Sequence, residues 1–144
     1  MTEITTKPLN RRHFLTAGLA LGLAPLATGS AFASGFVDYA PGAVEGALSR
    51  GETVFVDYSA VWCGTCRRQE RVVNNLRATN PAYDQAMTFI RVDWDTYRTH
   101  PVTTSRSIPR RSTLLVLRGN QELGRIVAGT SATQIRLLMD LGLA

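Results

Sequence analysis

Cys63 and Cys66 are the only cysteines among 144 residues, and just two residues separate them. Thiols at that spacing can close a small disulfide ring, reopen it, and pass the electron pair to the cysteines of another protein. The stretch before them, Thr53-Val54-Phe55-Val56-Asp57-Tyr58-Ser59, carries a nearly continuous apolar run and reads as a buried strand, while the chain from Arg67 onward reads as a helix. A thiol at a strand-to-helix junction lies near unpaired backbone N–H groups and the positive end of a helix dipole. That environment lowers its pKa and favours the thiolate, the form that attacks a disulfide. Arg67 and Arg68, directly after the pair, are expected to push the same way.

Two other chemistries compete for the same pair. A structural staple is a poor use of it, because a ring closed across two residues removes little entropy from the unfolded chain. Two thiolates also bind soft metals, so a copper- or other metal-handling role is an alternative. Against it, His100 is the only histidine after position 33 and no second cysteine pair is available to complete a zinc site. No metal site and no cofactor are therefore expected. A non-catalytic partner-binding domain is a third possibility, and it would leave both thiols without a task.

The first 33 residues have the composition of an export signal. Lys7, Arg11 and Arg12 form a basic head, Phe14 to Ala27 is almost entirely Leu, Ala and Gly, and Ala31-Phe32-Ala33 has the small-x-small pattern of a cleavage site. Arg11-Arg12 followed by His13-Phe14-Leu15 resembles the twin-arginine motif, whose signals are weakly hydrophobic. The expectation is removal of residues 1–33, a periplasmic location, and no stable membrane insertion afterwards. Residues 34–144 then form one domain of 111 residues, enough for a single core. Thirteen arginines face ten carboxylates there, scattered rather than in a stripe, which gives nucleic-acid binding little support.

The elements that must position the thiols follow in order. Pro41 to Arg50 reads as a helix closed by Gly51, 53–59 as a strand, and Cys63 to Thr79 as a helix stopped at Asn80-Pro81. Residues 87–93 read as a strand, 94–111 as irregular with at most one short helix, and 113–117 with 122–128 as an antiparallel hairpin about Gly119-Asn120. Thr130 or Ser131 can cap a last helix with Ile135, Leu137, Leu138 and Leu141 on its apolar face. That order describes an α/β sandwich with a mixed central sheet.

The segment Val56-Asp57-Tyr58-Ser59-Ala60-Val61-Trp62-Cys63-Gly64-Thr65-Cys66 resembles the thioredoxin family's V-D-F-x-A-x-W-C-G-P-C, and the likeness continues through the hairpin and last helix. The resemblance implies a thioredoxin-like three-layer sandwich, a mixed central β-sheet flanked by helices. It implies an enzyme, a thiol–disulfide oxidoreductase that exchanges its dithiol with protein thiols and disulfides. Cys63 would be the nucleophile, Cys66 the resolving thiol, and Asp57 the buried acid that moves the Cys66 proton. Trp62 would shape the docking surface. A reductase or electron relay fed by a membrane electron donor is the favoured direction, with a disulfide oxidase as the alternative, and a monomer is expected. Thr65 stands where strongly reducing members carry proline, which points to a less reducing pair. The family's cis-proline has two candidate positions, Pro109 or Ser112, the latter followed by Thr113. Either way residues 108–113 should lie against the sulfurs, with a trans bond if Ser112 is the one, and Arg110-Arg111 should give the groove a positive rim.

Overall fold

The computed structural model describes residues 35–144; the expected export signal over 1–33 lies outside the described residues. Five strands form one sheet in the order β1-β3-β2-β4-β5. These are β1 (Val37–Asp38), β2 (Thr53–Ser59), β3 (Met87–Asp93), β4 (Thr113–Arg118) and β5 (Gln121–Val127). β1 and β2 run parallel to β3, whereas β4 is antiparallel to both β2 and β5, so the sheet is mixed as expected. The helices are α1 (Ala43–Ser49), α2 (Gly64–Thr79), α3 (Ala82–Ala86), α4 (Trp94–Tyr97), α5 (Pro101–Thr104) and α6 (Ala132–Asp140). None of the helices in the described residues is long and apolar enough to cross a membrane.

Strand β2 lies at the centre, hydrogen-bonded on both edges and buried along its whole length. That placement explains its nearly unbroken apolar run. Side chains alternate across a strand, so Val54, Val56 and Tyr58 enter the core shared with α1. Phe55 enters the opposite core, with Val73 of α2, Tyr83 of α3 and Ile135, Leu138 and Met139 of α6. Asp57 shares the Phe55 face and so points toward the α2 side. Each cluster holds ten or more buried residues, and truncating one of its large side chains costs about 2–5 kcal/mol. The strand that carries the site is thus clamped from both faces.

Several boundaries differ from the sequence pattern. Gly42 adopts φ +85 as the N-cap of α1, so the helix begins at Ala43 rather than Pro41. Gly51, at φ +81, closes it as expected. The stretch after β3 holds two single-turn helices, one capped by the Asp93 carboxylate and the other by His100 Nδ1. In α6, Ser131 is the cap and Ile135, Leu138 and Met139 are buried, whereas Leu137 is exposed. Residues 135, 138 and 139 share a stripe at i, i+3, i+4, and position 137 falls on the far side of the helix.

Candidate active site

The two cysteines sit where β2 ends and α2 begins. Cys63 is the N-cap of the 16-residue helix α2, and its Sγ accepts the Cys66 backbone N–H at 3.2 Å. A sulfur thus fills the capping place that a serine or aspartate oxygen usually takes, in the field of the helix N-terminus. Cys63 retains 4% exposure and Cys66 none, so the first is the less enclosed of two buried residues. Both thiols are free.

The electrostatics separate the two thiols. Burial opposes ionisation of Cys63, but the Cys66 thiol, the hydrogen bonds with the Ser112 hydroxyl and the Cys66 amide, and the Arg111 guanidinium outweigh it and bring Cys63 down to about 7. For Cys66, burial and the bond to Cys63 push the thiol up instead. Negative charge therefore collects on the outer sulfur and the proton stays on the inner one.

Asp57 is fully buried, and neither carboxylate oxygen has a hydrogen-bonding partner among the described residues. Desolvation pushes its carboxyl up to about 7; the attraction of Arg91 opposes this, while Glu70 and Cys63 add to it. Arg91 stands opposite Asp57 in the β2–β3 register, but its guanidinium is ion-paired with Glu70, leaving Asp57 to share an engaged cation.

The loop ahead of β4 closes the site, and Ser112 is the residue that meets the sulfurs. Its Oγ lies 3.2 Å from Cys63 Sγ and 3.1 Å from Cys66 Sγ. Pro109 is exposed three residues upstream and takes no such place. No peptide bond in the described residues is cis. Ser112 has φ +60 and its N–H donates to the Tyr58 carbonyl at 2.7 Å. Proline, with φ fixed near −65° and no N–H, could do neither. Thr113 is buried, and its hydroxyl donates to the Arg110 carbonyl, tying the loop to the start of β4.

Trp62 is a surface residue, 54% exposed, with its indole N–H on Asp95 Oδ2 and the Arg111 guanidinium over its ring at 4.3 Å. The basic group at Cys63 is Arg111; Arg67, expected there from its place in the chain, donates to the Val61 carbonyl instead. Gln69 went unnoticed in the sequence. It is fully buried, and its Nε2 donates to the carbonyls of both Ser112 and Gly129. The signal was available, since the amide falls on the same helix face as Cys66 and Val73. His100, besides capping α5, packs edge-on against Tyr39 and Tyr97.

The comparisons with known proteins agree with this architecture. A family of thioredoxin-like domains matches residues 36–114. A Dictyostelium discoideum protein provisionally named thioredoxin-4 is 31% identical over 94 residues, 65% of this chain and 83% of its own length. The crystal structure of Trxlp from Edwardsiella tarda EIB202 superposes with a TM-score of 0.61 at 31% identity, covering 70% of this chain and 96% of that one. The solution structure of oxidised thioredoxin from Plasmodium falciparum gives the same TM-score of 0.61 at 23% identity, over 76% of this chain and all of that one, a likeness of fold. With the dithiol at the same strand-to-helix junction that the sequence marked, the chain belongs to the thioredoxin family.

Proposed function

We propose that this chain is an exported thiol–disulfide oxidoreductase that exchanges the Cys63–Cys66 dithiol with disulfides of protein substrates, as a reductase or electron relay. The observation that carries the reading is the division of labour between the sulfurs. The outer one is held near neutrality as a thiolate, and the inner one is buried and keeps its proton. Cys63 attacks and forms a mixed disulfide; Cys66 then gives its proton to Asp57 and attacks Cys63, releasing the reduced partner. Asp57 suits that task because its carboxyl titrates near 7 and has no other bond to break. The signal-like pattern over 1–33 supports a periplasmic address, where a membrane donor would have to keep the pair reduced.

Around the pair, Arg67, Arg68, Arg110 and Arg111 have no ion-pair partner among the described residues. Exposed Val61 and Trp62 lie among them. Such a rim favours substrates with acidic side chains beside their disulfide.

A specific observation also favours the oxidase as a second reading. The hydroxyl and guanidinium at Cys63 stabilise the reduced form, and stabilising that form raises the potential. Equilibrating the pair against glutathione buffers decides between them. The reductase reading expects a potential well below roughly −180 mV, and a value near −120 mV would sink it. A Cys66→Ser variant should accumulate mixed disulfides through Cys63, and identifying the captured proteins tests the substrate class.

A further inference from the structure

Two thiols and a carboxylate do not complete the list of groups in contact at this site. Ser112 is fully buried and its hydroxyl touches both reacting sulfurs, at 3.2 and 3.1 Å. Its backbone is held on every side. The N–H bonds Tyr58 O, and the carbonyl accepts from Ala128 N–H and Gln69 Nε2. The left-handed φ of +60 is costly for serine and persists only where the surroundings impose it. Gln69 is an interior amide with its Oε1 left unpartnered, spent on fixing Ser112 and Gly129.

A hydroxyl has one proton to donate and lone pairs to accept with. Set between two sulfurs, it accepts from the one that keeps its proton and donates to the one that is charged. Cys63 already takes the Cys66 N–H at the helix terminus, so the charge belongs there.

We propose that Ser112 is a catalytic residue of thiol–disulfide exchange, its hydroxyl donating to the Cys63 thiolate while accepting from the Cys66 thiol. The proposal rests on the oxidoreductase reading. Ser112 keeps its own proton throughout. The Cys63 thiolate attacks one sulfur of the partner disulfide, that S–S bond breaks, and the other partner sulfur leaves as a thiolate and takes a proton from water. The Cys66 proton passes to Asp57, the Cys66 sulfur bonds to Cys63, and the second partner sulfur leaves with the electron pair. Two electrons have moved from the dithiol to the partner disulfide. The hydroxyl raises the thiolate fraction near neutral pH, and it biases the pair toward its reduced form.

Ser112→Ala and Ser112→Gly test this, the glycine keeping the left-handed turn without strain. The Cys63 titration, followed by thiolate absorbance, is set also by Cys66 of α2, Arg111 of the loop and Asp57 of β2, all unchanged in these variants. Both variants should lose about tenfold of the thiolate present at pH 6. Their equilibrium with glutathione should move toward the disulfide by about tenfold at pH 9, or about 30 mV. At pH 7 the same shift should be under about threefold, since there much of Cys63 is protonated either way. A merely structural role would give a shift independent of pH. An unchanged Cys63 titration in either folded variant overturns the proposal. Should neither fold, the unsubstituted protein still decides: the Ser112 Cβ resonance must follow the Cys63 titration with the same midpoint, and a still resonance overturns it. Absence of disulfide turnover in the unsubstituted protein would sink the oxidoreductase reading itself, whereas turnover with an unmoved titration sinks this proposal alone.

Discussion

Arg77 and Arg111 both lie over aromatic rings, and they differ in what neutralises them. Arg77, near the end of α2, sits over Phe89 at 4.0 Å and is ion-paired with Asp84. Arg111, in the loop before β4, sits over Trp62 at 4.3 Å, has no carboxylate partner among the described residues, and favours the charged form of Cys63. Each leaves one guanidinium nitrogen buried without a protein partner, Nη1 of Arg77 and Nε of Arg111. The counter-charge of Arg77 is permanent, so its free energy goes into the fold. That of Arg111 appears when Cys63 ionises and vanishes when it is oxidised, so its free energy goes into the balance between states. Asp57 is the limiting case, a buried carboxyl with no bonded partner among the described residues.

The limiting case gives the largest expected effect. Burial raises the Asp57 carboxyl from 3.8 to about 7, so the folded chain holds that proton where the unfolded chain has lost it. Stability from this group is therefore complete below about pH 4, falls as pH rises to 7, and is flat above. The loss is about 4 kcal/mol across that window. Denaturant unfolding at pH 4 and pH 8 should show this fall in the parent, and Asp57→Asn should lack it. Equal pH dependence in the two proteins would mean that Asp57 is solvated or paired. Arg77→Met comes next. Arg77 is buried but Asp84 keeps 22% side-chain exposure, so the stranded carboxylate is partly solvated and a loss of about 2 kcal/mol is expected, or on the order of 8 °C in Tm for a domain of this size. Cys63 should titrate as before. If its midpoint moved, the division between a structural and a functional arginine would be lost.

The sequence made the frame legible and left the contacts at the sulfurs mostly hidden. Strands β2 and β3 have the bounds their apolar runs suggested, and the Asp57 environment followed from a carboxylate inside such a run. Local pattern sufficed there because burial on both faces leaves a mark on consecutive residues. Pattern failed at Leu137, whose apolar type outweighed its angular position in α6. It failed also at Gly42, where a left-handed residue moved a helix start. At the site itself, chain proximity favoured Arg67, yet the basic group at Cys63 comes from Arg111 and the hydroxyl from Ser112, nearly fifty residues away. The sequence offered Pro109 and Ser112 alike and could not reveal the hydroxyl between the sulfurs, which depends on a φ of +60. Contacts across such separations are set by strand register, and no local periodicity encodes them.

The smallest effect sharpens the comparison most. Arg111 is half-buried, so its attraction for the thiolate is discounted to about 1 kcal/mol. Arg111→Met should lower the thiolate fraction at pH 6 about fivefold and leave unfolding free energy within about 0.5 kcal/mol of the parent. Salt separates the two arginines further. Exposed charges more than about 3 Å apart are screened at 1 M salt, and buried pairs far less. Raising salt from low to molar concentration should therefore shift the parent's Cys63 titration upward, toward that of Arg111→Met, while the stability difference between parent and Arg77→Met barely changes. A Cys63 titration indifferent to salt would place Arg111 beside Arg77 as a second structural cation, and the tuning at the outer sulfur would then fall to the helix terminus and Ser112.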